Sequence, residues 1–162
     1  MLTRSPQMPI KWDQCKDEFA SDGALRDIQV IDATLSDSQR VLDFVRTSAA
    51  KSDYTIDGEA AALPSEASSI IASRSTATPL LLFRWGDIEI ATHFFGEDDL
   101  EFDFRPENVS GQRELDQLLS FVSSVGRLLS KAVLVYHEGW EVSPFFIYDR
   151  HTDEITYSPR SI

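Results

Sequence analysis

From Leu80 to Arg105 the chain alternates between apolar and polar positions. An apolar run, Leu80 to Trp85, meets Gly86-Asp87. After it Ile88, Ile90, Thr92 and Phe94 share one register, and Glu89, Ala91, His93 and Phe95 share the other. Beyond a short acidic link, Leu100, Phe102 and Phe104 alternate with Glu101, Asp103 and Arg105. Successive side chains of a strand point to opposite faces, so a period of two predicts sheet with one face buried. Short links between three such runs predict an antiparallel meander over about 80–105. Leu80 to Phe83 is apolar on both registers, which predicts an interior strand covered on both sides.

Two stretches carry the helical period instead. After Ser36-Asp37-Ser38-Gln39, the residues Val41, Leu42, Phe44 and Val45 form an apolar stripe. Ser36 is the expected cap, with Gln39 completing a capping box. The stronger stripe is Leu115, Leu118, Leu119, Val122, Val125 and Leu129, widened by Phe121 and Leu128, with Ser110 or Asn108 as cap. Gly126 inside it predicts a close approach of helix and sheet. Further strands are expected over 24–33, 132–137, 145–148 and 155–157. Between the first helix and the meander, Tyr54 and Ile56 suggest a short strand closed by an Asp57-Gly58 turn. The Ala- and Ser-rich residues that follow have no decisive period, although Pro64 could open a short helix.

The order of elements predicts an α+β domain: a single-layer, mainly antiparallel sheet with a central meander (about 80–105), covered by two amphipathic helices (about 36–49 and 110–130). Residues 1–162 read as one domain, with residues 1–21 a loosely attached N-terminal segment, since Pro6 and Pro9 disfavour an early helix.

Composition narrows the class. A hydrophobic content of 42% supplies a core without covalent staples. One cysteine, Cys15, excludes an intramolecular disulfide and argues for a reducing compartment. No apolar stretch has the length of a membrane span or of a secretory signal, so a cytoplasmic protein is expected. The formal net charge of −12 repels phosphate backbones, and no basic patch offsets it, so nucleic acid is not an expected partner.

Much of that charge is local. Asp87, Glu89, Glu97, Asp98, Asp99, Glu101 and Asp103 lie within 17 residues that contain no Lys or Arg. Together with Trp85 they are the expected protein-binding residues, offering charge and an aromatic anchor to a basic partner. The same positions can be read as a solvated polar face. His93 with Glu101 and Asp103 is a weaker candidate for a metal or catalytic site, since mixed imidazole and carboxylate ligation suits a divalent ion. His137 reads as a structural imidazole and Cys15 as a non-catalytic thiol. No nucleophile elbow, phosphate loop, dinucleotide fingerprint or zincin motif is present, and no cofactor is expected.

The expectation is therefore a non-enzymatic acidic protein-binding module of immunity or inhibitor type, which neutralises a basic partner through the 87–103 surface. Its type is similar to the small acidic α+β immunity proteins of bacteria, a likeness carried by no residue motif. The alternatives are a small-ligand or metal-dependent enzyme using His93, Glu101 and Asp103, and a homo-oligomeric structural subunit.

Overall fold

A computed structural model describes residues 9–160. Nine strands form one open sheet: β1 (Arg26–Val30), β2 (Lys51–Ile56), β3 (Glu59–Ala60), β4 (Pro79–Trp85), β5 (Ile88–Thr92), β6 (Leu100–Phe104), β7 (Val133–His137), β8 (Phe146–Asp149) and β9 (Glu154–Tyr157). Their spatial order is β3-β2-β4-β5-β6-β1-β7-β8-β9, and every pairing is antiparallel. The β4-β5-β6 meander is present as its alternation predicts. The first strand lies between the two meanders, with Ile28 opposite Phe102 on one side and Val135 on the other.

The expectation of two covering helices is overturned. Among the described residues there are four α-helices: α1 (Trp12–Cys15), α2 (Leu35–Ser48), α3 (Ala67–Ser73) and α4 (Gln112–Leu129). The longer two, α2 and α4, lie in the stretches with clear apolar stripes. The other two are too short to display one. α3 buries only Ala67 and Ile70, one turn apart, in an Ala- and Ser-rich segment. α1 is a single turn that runs on into a 3-10 turn, Lys16–Phe19. Residues 1–8 of the expected N-terminal segment lie outside the described residues; beyond them, Ile10, Cys15 and Phe19 are buried.

All four helices stand on one face of the sheet. Phe121 of α4 meets the rings of Phe83, Trp85 and Phe102, and Phe44 of α2 stacks on Trp85 at 5.5 Å. Phe19, after α1, contacts Phe104, Phe145 and Phe146. α3 packs on α2. Gly126 brings α4 against β8, where a Cβ would lie 2.3 Å from two carbons of the Tyr148 ring. Burial of these rings and aliphatic chains, at about 25 cal/mol per Å² of apolar surface, is the main stabilising term.

Two cap expectations are corrected. α2 starts earlier than expected: the Thr34 hydroxyl accepts from Asp37 N–H at 3.2 Å, and the Asp37 carboxylate accepts from Thr34 N–H at 3.0 Å. Gln39, freed from capping, joins α2 to α3, accepting from Ala67 N–H and donating to the Ser65 carbonyl. At α4 the cap is Gly111, without a side-chain bond, while Ser110 donates to Glu114 and Asn108 accepts from Glu89 N–H. Asp57-Gly58 forms the expected tight turn, with φ of 52° and 83°.

Candidate functional site: the open face of the sheet

Alternation sends every second residue away from the helices. One row of cross-strand neighbours on that open face runs Leu82, Ala91, Asp103, Asp27, Tyr136. The next contains Glu101, Gln29, Leu134 and Ile147. Directly opposed side chains in such rows have Cβ atoms about 5 Å apart, so Asp27 and Asp103 face one another closely.

The carboxylates at the centre meet no strong cation. No Lys or Arg pairs with Asp27, Glu101 or Asp103 among the described residues. Asp103 Oδ2 lies 2.8 Å from His93 Nε2. Tyr136, 3% exposed, donates its hydroxyl to Glu101 at 3.0 Å and reaches Gln29 at 3.3 Å. Burial, together with the charges of Asp103, Glu138 and Glu141, pushes the Asp27 carboxyl up to about 6. Burial, and the neighbouring Asp99, push Glu101 up to about 7. Desolvation and like charge both disfavour the ionised form, which is why these groups keep protons that ordinary carboxyls lose. Asp99 Oδ1 is buried and has no partner among the described residues.

His93 is held by the connection between β5 and β6. Its carbonyl accepts from Arg74 at 2.9 Å, and its ring stacks on Phe95 at 5.0 Å. The Arg74 guanidinium lies 4.8 Å from the centre of the same Phe95 ring. Phe94, between them, adopts φ 52°, a left-handed conformation costly for a bulky residue, and its fully buried ring holds it there.

No protein-family model, curated protein or solved structure matches the chain. Among the described residues no three His, Cys, Asp or Glu side chains are grouped to hold a metal ion, and the set His93, Glu101 and Asp103 is not such a group. The described clefts lie elsewhere: one beside Pro9, Ile10 and Leu119, another between Ser36 and Gln39 of α2 and Glu66 and Ser68. No helix among the described residues is long and apolar enough to cross a membrane.

The residues singled out in the sequence divide into three groups. Glu101 and Asp103 are at the centre of the open face, with Asp99, Glu97 and Asp98 in the connection beside it. Glu89 lies on the same face, opposite Arg84 in register. Asp87 sits at the far end of the hairpin, paired with Arg113 at 3.1 Å and bonded to Gln117. Trp85 is turned to the helix side, between Phe44 and Phe121. Sequence reasoning missed Asp27, Gln29 and Tyr136. Asp27 and Gln29 form the polar register of β1, a pattern visible in the chain, but their pairing with β6 and β7 is not local.

His137 is buried, with one ring nitrogen paired to a distant carboxylate and the other, Nδ1, without a partner among the described residues. Its Nε2 lies 2.7 Å from Glu18 Oε1, and Tyr157 donates to the other oxygen of that carboxylate at 2.9 Å. Arg26, fully buried, donates to the Glu18 and Ala20 carbonyls and to both Asp22 oxygens. Cys15 is buried, and that burial pushes its thiol up to about 11, which leaves it inert as a nucleophile.

Proposed function

We propose that the chain is a non-enzymatic binding module that docks a basic protein on the open face of its sheet. One observation carries this reading: Asp27, Glu101 and Asp103, on adjacent strands of the face opposite the helices, are packed among themselves without a Lys or Arg partner among the described residues. A basic side chain would supply the missing counter-charge. Around them are apolar groups of the kind that anchor protein interfaces: Ile147 and Leu134 on one flank, and exposed Phe95, stacked on His93, on the other. A broad face built of cross-strand rows suits a macromolecule better than a small ligand, which prefers a cavity. Inhibition of the partner is the finer form of the proposal, because occupying a basic active surface needs only charge complementarity and a few anchors.

Site-specific photo-crosslinking in an extract of the native cells tests this. A crosslinker at Gln29 or Ile147 should capture a basic protein that the same group at Asp43, on α2, does not. Equal capture from both faces, or capture of only acidic proteins at the open face, would refute the reading.

A further inference from the structure

The central carboxyls of the open face crowd one another on adjacent strands. Asp27 of β1 has Asp103 of β6 on one side and Tyr136 of β7 on the other, with Glu138 and Glu141 in the connection after β7 and His93 beyond Asp103. Glu101 faces Asp99, Tyr136, Gln29 and Asp27. Asp99 Oδ1 is buried with no donor among the described residues. The Asp99 carboxylate lies within hydrogen-bond reach of Glu101, so a proton on Glu101 has an acceptor there.

We propose that docking at this face is a proton exchange: an arginine side chain of the partner replaces the protons held on Asp27 and Glu101, and the interaction tightens as pH rises through neutrality. This rests on the basic-partner reading above. A guanidinium is planar, always charged and carries five donors, so it can lie on a flat sheet and reach carboxyls on neighbouring strands at once. It supplies in one group what the protons supply separately: a positive counter-charge and a donor for the Asp99 oxygen. The displaced protons leave to the buffer.

The sign follows from the free protein. Asp27 and Glu101 are held at about 6 and about 7 by burial and by the like charges around them. A bound cation returns both to the ordinary carboxylate range, so the complex carries fewer protons than the free protein. Affinity is then weak where both carboxyls are protonated and full where both are ionised. Between about pH 5.5 and pH 7.5 the change is on the order of 100-fold.

The test uses a fluorescent deca-arginine peptide as probe, titrated into the full chain across that pH range at fixed ionic strength. Calorimetry in two buffers of different ionisation enthalpy reads proton release directly. The expected results are a rising affinity with pH and net proton release near pH 6.5. In Asp27→Asn/Glu101→Gln both effects shrink, the fold being checked by circular dichroism. If that variant fails to fold, the wild-type calorimetry still decides. Binding at this face that is flat with pH and releases no protons overturns the proton exchange alone. No binding at any pH, or binding that survives Asp27→Lys/Asp103→Lys unchanged, overturns the docking reading itself and this proposal with it.

Discussion

Replacing Gly126 by alanine sets two effects of opposite sign against each other. Within α4, alanine is better than glycine by about 1 kcal/mol of helix propensity. On the sheet side, the new methyl would lie 2.3 Å from Cδ1 and Cε1 of Tyr148. Carbon atoms in good contact sit about 3.5–4.0 Å apart, so helix and ring must separate by more than about 1 Å. The ring has little freedom to give: Tyr148 is 2% exposed and its hydroxyl donates to Asp153 at 2.7 Å. Overpacking of this kind costs about 1–3 kcal/mol, and an overlap this deep belongs in the upper half of that range. The net expectation is a loss of about 1–2 kcal/mol, or roughly 2–8 °C in Tm for a domain of this size. Thermal unfolding followed by circular dichroism measures it. A double-mutant cycle isolates the cause. With Tyr148→Leu in place, Gly126→Ala should become neutral or stabilising, because the ring has gone and the propensity gain remains. A Gly126→Ala variant as stable as the parent would refute the steric argument, as would an equal loss in the Tyr148→Leu background.

Two further outcomes follow from the buried polar groups around β1. Arg26→Lys removes the fork of donors that serves the Glu18 and Ala20 carbonyls and Asp22. It should lower stability by roughly 2–4 kcal/mol in urea denaturation; a change within about 0.5 kcal/mol would mean that solvent replaces those bonds. Burial lowers the proton affinity of His137 below its ordinary value. The unfolded chain therefore binds a proton that the folded one refuses. The stability due to neutral His137 is fully present above the usual histidine range and is lost as pH falls through it toward the lowered folded value. His137→Gln keeps a donor for Glu18 but cannot titrate, so its Tm should decline less than the parent's between about pH 7 and pH 5.5. Parallel declines would assign the acid sensitivity to other groups.

What could be read from the chain was what depends on neighbours in sequence. The alternation of Ile88, Ile90, Leu100, Phe102 and Phe104 stated the meander, and the stripe from Leu115 to Leu129 stated α4. Asp57-Gly58 stated its turn because positive φ at both positions suits few other pairs. Short helices escaped because one or two turns bury too few residues to show a period, as Ala67 and Ile70 do in α3. The candidate site was half visible. Glu101 and Asp103 were identified by the polar register of their strand, but Asp27 and Tyr136 join them only through pairings between distant segments. Asp87 and Trp85 were grouped with the site by proximity in sequence, and the turn and the pleat carry them away from it. Likewise Glu18, rather than its neighbour Glu138, reaches His137.

The position of β1 also bears on how the chain is made. Synthesis runs from the N-terminus, so this strand emerges before both of its neighbours, Leu100–Phe104 and Val133–His137, which come much later. Until then it has two open edges and an apolar register, Ile28 and Val30, that nothing native covers. Arg26 puts a charge into that register, and Asp27 and Gln29 make the opposite register polar, which disfavours pairing with other nascent chains. The two meanders can form from local contacts, and inserting β1 between them is the long-range step that joins the halves. Asp27 and Gln29 thus bear on both stages: they keep one side of the unpaired strand polar, and later they lie in the rows of the finished open face.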